Sequence, residues 1–575
     1  MPSSTISAPS PGTPSFAELF TPKLVTILRE GYGLANLRAD AMAGLTVAIV
    51  ALPLSMAIAI ASGASPAQGL YTAIVGGFLV SALGGSRFQI GGPAGAFIVL
   101  VATTVQQHGM GGLILATILS GVLLAAIGLL RLGTYIKFIP YPVTVGFTAG
   151  IATIIFASQI KELLGLTLSE AEPGPLLDKL PVLWANLPTA DTGTIILALV
   201  TIIVIVGVKR LRPHWPGMLI AVAIAGLATA LLDLPVTTIG SRFGGIPASL
   251  PMPSLPAFDL QKVQAVLPSA IAFTLLGAIE SLLSAVVADG MTGRRHRSNC
   301  ELVAQGAANM ASGLFGGICV TGTIARTATN VRAGAHGPVA GMLHSVFLLL
   351  FVLVAAPLAS FIPLASLAGV LAVVAWNMVE KQAFATLIRA SWGDAAVLLA
   401  TFFLTIFRDL TEAIIVGFAL GSILFIHRMS KATVIETHVP LVPEDKPDSA
   451  NGGRTPYDEA AASDPEVVVY RISGAFFFGA AASIGSVLDR IADTHRALVI
   501  DLSAVPFVDS TAANTIEGLA HKAARRDVSI YLTGISPAMR KDLFAHGIRP
   551  PLVHYASSVE EAVRHVHSGG AARTL

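Results

Sequence analysis

Arg326 stands in "VTGTIARTATN", residues 320–330, among small and hydroxyl side chains in a part of the chain almost free of charge. In the middle of a bilayer a cation costs about 2.5–3.5 kcal/mol on insertion scales, so some partner must offset it. A second charge, Glu280, lies in the apolar run "TLLGAIESLLSAVVADG", with Ser284 four residues on and therefore on the same helical face. A third stretch, "GGSRFQIGGPAGAF", carries no charge after Arg87 but has the same design as the first: small extended residues, a helix-starting Pro93, then apolar residues. Around Arg326, Thr321 and Thr323 are placed to cap a helix starting near Ala325. Breaks of this kind at matching places in two halves of a chain mark a transporter site, because half-helix N-termini direct free N–H groups and positive dipole ends into one cavity. The chemistry expected is reversible binding of a small anion. The anion-binding residues predicted are Pro93, Ala94, Gly95, Ala96 and Phe97 on one break and Thr323, Ala325, Arg326 and Thr327 on the other, with Glu280 and Ser284 as the coupling-ion pair. Protonation of Glu280 would remove the cost of a buried carboxylate, which makes a proton the simplest co-substrate. The opposing reading of the two charges is a structural Arg326–Glu280 pair.

Nothing in the chain suggests covalent chemistry. There is no nucleophile triad, phosphate loop or nucleic-acid surface, so no enzyme is predicted. His108, His296, His344 and His427 have no metal-ligand spacing, so neither a metal nor a cofactor is expected, only a coupling ion, H+ or Na+. Cys300 and Cys319 read as small apolar fillers.

The elements that must position these residues are membrane helices. The 575 residues are 54% hydrophobic and 12% charged, with mean hydropathy +0.74, which marks the chain as an integral membrane protein. Runs of about 20 apolar residues, enough to cross a bilayer, follow one another from Asp40 to His427. Fourteen crossings are expected, centred near Val50, Val75, Val99, Leu119, Ala149, Ala198, Ala223, Ala278, Gln305, Asn330, Leu348, Leu371, Ala400 and Gly417. The two breaks then fall in crossings three and ten, a seven-plus-seven repeat. With the N-terminus inside, the inner loops hold most of the cations, including Lys137, Arg294, Arg295, Arg297, Lys381, Arg389 and Lys431, whereas the outer loops hold only Lys161, Lys179, Arg242, Lys262 and Arg408. This bias follows the positive-inside rule and predicts that both termini are cytoplasmic. The stretch "MPSSTISAPSPGTPS" has no basic segment and the first apolar run starts only near Met42, so no cleavable signal peptide is expected.

After the last crossing the composition changes. The predicted organisation is a cytoplasmic N-terminal region, 1–38, a transmembrane domain, 39–430, a Pro/Asp/Gly-rich linker, 431–465, and a soluble domain, 466–575. In that last part "EVVVYRI", "RALVIDLS" and "VSIYLTGI" read as strands. Helical stretches at residues 480–492 and 511–524 separate them, which implies βαβ units and a mostly parallel sheet. Asp509, Ser510 and Thr511 fall where a strand ends and a helix begins, the place for an N-cap. The arrangement resembles the STAS domain of anti-sigma factor antagonists, in which the hydroxyl at the position of Thr511 is phosphorylated. Here Ala512 replaces the usual Gly. Ser510 and Thr511 are therefore the predicted regulatory residues.

Four stretches carry a wider resemblance: "DAMAGLTVAIVALPLSMAIAIASG", "GLYTAIVGGFLVSALGGSRFQIGGPAGAF", "ADGMTGRRHRSNCELVAQGAANMASGLFGG" and "TGTIARTATNVRAGA". With the STAS-like tail, they make the chain similar to the sulfate permease (SulP) family, the bacterial relatives of prestin and pendrin. That resemblance implies a fold like that of uracil transporters, an inverted repeat with a core of segments 1–4 and 8–11 against a gate of 5–7 and 12–14, elevator-like movement and a homodimer. It also implies a bacterial inner-membrane location, with the lipid bilayer and a cytoplasmic regulatory protein at the STAS domain as partners, and no nucleic acid. In sodium-coupled bicarbonate members a carboxylate and a hydroxyl at the spacing of Glu280 and Ser284 ligate Na+, where Asp and Thr stand in place of the Glu and Ser found here. The function expected is secondary active transport of a small anion, coupled to a proton or sodium. Sulfate or bicarbonate is favoured, and a C4-dicarboxylate is the organic option. A passive exchanger or channel and a membrane sensor signalling through the STAS domain stand as the other readings.

Overall fold

The computed structural model describes residues 15–136, 140–168, 172–173, 176–212, 215–256, 259–408, 410–437, 467–477 and 496–570. Two compact units divide the chain, Met1–Ala419 and Leu420–Leu575.

In a bilayer core no water is present to satisfy the backbone, so apolar runs must become helices that bond internally. All fourteen expected centres fall on helical segments. Segments three and four are joined in Ile98–Leu129, where Gly109, at φ 67°, turns the chain between them. Lys381–Ala390 is a helix with no buried residues, too short to cross. Lys137 and the predicted helix at 480–492 lie outside the described residues.

Glycines let these helices approach closely, as small residues do in membranes. Gly121 and Gly306 face each other so tightly that a Cβ on either would lie 2.6 Å from the other's carbonyl oxygen. That contact packs Ser298–Leu314 against Ile98–Leu129. The core is built mainly from Ala, Ile, Leu and Val of the first, second, third and twelfth segments.

Two short pieces of extended backbone interrupt this packing. β1 (Gly91–Gly92) and β2 (Thr321–Gly322) pair antiparallel, Gly91 with Gly322 and Gly92 with Thr321. Each strand leads directly into a helix start, at Gly95 and at Ile324. The pair thus joins the two breaks that the sequence placed far apart.

The second unit contains a five-stranded sheet in the order β3 (Val434–Thr437), β4 (Val467–Ser473), β5 (Ala497–Ala504), β6 (Ser529–Thr533), β7 (His554–Tyr555). β4 to β7 are parallel and β3 is antiparallel to β4. β3 corrects the expected linker, since residues 434–437 are an edge strand of the sheet. The run "VIET" is too short to stand out beside the polar stretch that follows it, and only its pairing with Val467–Ser473 defines it. The predicted cap at Asp509 is present: its carboxylate accepts from the N–H of Ala512 at 2.8 Å and starts the helix Ser510–Ala524. Ser510 and Thr511 are exposed on its first turn.

Candidate anion site at two broken helices

Extended backbone inside a membrane must be satisfied by its surroundings. Here side chains from neighbouring helices do so. Asn309 mimics a strand edge, donating from Nδ2 to the carbonyl of Val320 at 2.7 Å and accepting the Val320 N–H at 3.0 Å. Thr72 accepts the N–H of Ile318 at 2.7 Å. Thr327 accepts the N–H of Ile90 at 3.1 Å, and Asn330 donates to the carbonyl of Phe88 at 2.9 Å. From the eighth segment Ser281 accepts the N–H of Gly322 at 3.3 Å, and its hydroxyl meets that of Thr321 at 2.7 Å.

Thr321 and Thr323 do not cap the second break as the sequence suggests. Thr323 occupies the N-cap position with no side-chain cap bond; its hydroxyl and its N–H both donate to the carbonyl of Ile90. Thr321 instead donates to the carbonyl of Gly277 at 3.2 Å. The Gly277 carbonyl on the eighth segment takes one hydroxyl and the Ile90 carbonyl beside β1 takes the other, which leaves the first N–H groups of Ile324–Arg332 without a capping side chain.

Arg326 is 1% exposed. Its Nη2 donates to the carbonyl of Pro93 at 3.2 Å, whereas Nε and Nη1 have no hydrogen-bond partner. Gly92 makes room for it, since a Cβ there would collide with Nη1. On the first break, Ala94 is extended, Gly95–Phe97 forms a 3-10 turn, and the helix begins at Ile98. Gly95 faces the fifth and twelfth helices: a Cβ there would lie 3.2 Å from Ile155 and 3.6 Å from the Met378 sulfur. Phe97 is buried beside Phe273, with ring centroids 6.0 Å apart.

The structure therefore brings Pro93, Ala94, Gly95, Ala96 and Phe97 into one locality with Thr323, Arg326 and Thr327, whereas Ala325 is exposed. Glu280 lies on the eighth segment one residue before Ser281, whose hydroxyl meets that of Thr321. No ion pair links Glu280 to Arg326 among the described residues, and its Oε2 is buried without a partner. Ser284 is buried and donates to Thr327 at 3.0 Å, so its hydroxyl braces the second broken helix.

Three further residues take on significance only in the structure. Gln89 is 2% exposed with both amide atoms unpartnered, packed against Gly322. Gly92 provides the space for the Arg326 guanidinium. His344 is fully buried with both ring nitrogens unpartnered. An intramembrane Gln or His is itself a signal, and that signal was available in the runs "SRFQIGGP" and "GMLHSVF".

A buried cation whose Nε and Nη1 have no partner, beside two helix starts without capping side chains, is a concentration of positive potential that no ion pair meets among the described residues. It can bind a small oxyanion. It offers no nucleophile or acid–base pair for bond breaking.

Comparison with known proteins agrees with this chemistry. The model of the Sulfate permease family matches residues 37–401, and that of the STAS domain matches residues 460–562. A putative sulfate transporter of Bacillus subtilis, YvdB, is 39% identical over 90% of this chain and 95% of its own. The bicarbonate transporter BicA of Picosynechococcus is 30% identical over 88% of this chain and 90% of its own. The solved structure of SLC26A9 superposes with a TM-score of 0.82 over 96% of this chain and 93% of that one, at 17% identity, a likeness of fold.

Proposed function

The chain belongs to the sulfate permease family of anion transporters, and from that premise we propose that it carries out secondary active uptake of a small inorganic anion, sulfate or bicarbonate, coupled to a proton or sodium. The observation that carries this reading is Arg326, buried at the start of a broken helix with two donors unpartnered. A structural cation would have a carboxylate beside it. Here the space belongs to a ligand that comes and goes.

Glu280 is the coupling group. Its buried, unpartnered Oε2 favours a charge state that changes during the cycle over a permanent ion pair. The two broken helices travel with the core past the fifth and twelfth helices in an elevator-like movement. Gly95, small against Ile155 and Met378, allows that sliding contact. The protein works as a homodimer in a bacterial inner membrane with both termini cytoplasmic, and the STAS domain has a regulatory and dimer-supporting role through Ser510 and Thr511.

Purified protein in liposomes, given sulfate or bicarbonate with an imposed proton or sodium gradient, tests this. Accumulation against the anion gradient supports uptake, flux only down that gradient supports a passive exchanger or channel, and no flux supports a sensor. In the same assay Glu280→Gln should keep anion binding and lose gradient coupling. Coupling retained by that variant would remove Glu280 from the mechanism.

A further inference from the structure

A cavity of about 330 Å³ lies above the broken helices, on the side that the charge bias assigns to the outside. Its walls are the C-terminal ends of the first and fifth segments, the first turns of the third and the N-terminal half of the twelfth. It reaches Ile98 and Val99, directly after the 3-10 turn at Gly95–Phe97. Lys161, Lys179 and Arg242 line its mouth. The outer loops carry only five cations, Lys161, Lys179, Arg242, Lys262 and Arg408, so three of the five gather at this one opening.

The two acids at the mouth are already engaged. Arg242 Nη1 lies 2.6 Å from Glu162 Oε1, and Lys179 Nζ lies 2.9 Å from Glu172 Oε1. The side chain of Lys179 is only 10% exposed. Gln106, at the far end of the third segment, donates to the carbonyl of Glu172 at 3.5 Å and ties the loop to the cavity wall. Lys161 makes no ion pair among the described residues.

We propose that this mouth is an anion-capture station, where Lys161, Lys179 and Arg242 attract the anion and Glu162 and Glu172 act as built-in competitors that hold two of those cations until it arrives. The inference rests on the transport reading above and adds an outer site distinct from Arg326. Cations lining a low-dielectric cleft concentrate counter-ions and speed their entry, an effect that falls with ionic strength. An internal carboxylate lowers the affinity for an entering anion by the part of the ion pair that must be exchanged. An ordinary structural latch differs in sign. Removing either partner of a latch has the same consequence, whereas removing a competitor and removing a captor have opposite ones.

The test measures sulfate and bicarbonate uptake by full-length protein in liposomes at several ionic strengths. Lys161→Gln, Lys179→Gln and Arg242→Gln should each raise KM about threefold or more, leave the maximal rate unchanged and flatten the dependence of uptake on salt. Glu162→Gln and Glu172→Gln should lower KM. Lys179→Arg should restore the wild-type KM, and Lys161→Gln breaks no ion pair, so a loss of folding at Lys179 cannot decide the matter. Shifts of the same sign for acid and cation variants would overturn the capture site and leave the transport reading intact. Wild-type protein with no flux of either anion would overturn both.

Discussion

Arg326 and Arg471 are both held at a strand, and they differ in what meets them. Arg471, on β4, donates from Nε to Asp501 on the neighbouring parallel strand at 2.8 Å, and Asp501 also accepts the N–H of Ser503 at 3.0 Å. Arg326 follows β2 and meets a single backbone carbonyl. In the sheet the ionic groups satisfy one another. Between the broken helices several extended backbone groups are matched by side chains, whereas the buried guanidinium keeps Nε and Nη1 without a partner. A charge paired with its complement serves the fold, and a buried charge without one marks a ligand site.

The largest effect expected is at Arg326. Hydrogen bonds to charged groups contribute roughly 1.5–3 kcal/mol, so Arg326→Ala should weaken anion binding on the order of tenfold to a hundredfold, read by equilibrium binding in detergent. The protein should stay folded, because the variant removes a charge that lacks a partner. Wild-type affinity would falsify the comparison. Combining this change with Glu280→Ala should add the two effects without interaction, as for groups that are not paired; strong coupling would mean that the two charges meet in another state of the cycle.

Thr327 sharpens the other side, the satisfied backbone. It accepts from Ile90 N–H and from Ser284, so Thr327→Val leaves a buried donor unpaired and should cost about 1–3 kcal/mol of stability, visible as a lower melting temperature. Unchanged stability would show that the strand crossing does not depend on this hydroxyl. Gly92→Ala tests shape without altering charge. The added methyl displaces Nη1, and anion affinity should fall about tenfold, a shift of roughly 1.4 kcal/mol, with little change in melting temperature.

The smallest effect expected is in the sheet. Burial pushes the Asp501 carboxyl up, but hydrogen bonds from Arg471 and Ser503, together with the Arg471 charge, outweigh it and hold the group below the usual carboxylate range. A depressed carboxylate stabilises the fold above its unfolded pKa, about 3.9, and that contribution disappears as the pH falls through the folded value. Arg471→Ala should therefore remove about 1 kcal/mol near neutral pH and flatten the acid side of the stability profile of the full-length protein, with anion affinity untouched. A change in anion selectivity would contradict the separation of the two regions.

Much of this was legible from the chain. Apolar runs of crossing length can only be helices in lipid, so the fourteen segments were readable. The paired breaks around Pro93 and Arg326 also stood out, because Gly, Pro and hydroxyl residues interrupt an otherwise uniform pattern. The three strands "EVVVYRI", "RALVIDLS" and "VSIYLTGI" were equally clear from their β-branched composition.

Other features depended on contacts between distant residues, for which a linear pattern carries no signal. Thr321 and Thr323 have the residue type of caps, yet carbonyls more than 40 residues away in sequence compete for their hydroxyls and win. Ser284 has the spacing of an ion ligand, yet its hydroxyl turns to Thr327. Val434–Thr437 reads as the start of a linker until β4 lies beside it. The sequence by itself determined where the membrane segments, the two breaks and the buried charges lie, because burial cost and backbone satisfaction act locally along the chain. Only the tertiary structure decided that Arg326 makes no ion pair with Glu280 among the described residues and lies against Gly92 and Pro93, because the pairing of two charges is a matter of distance between helices.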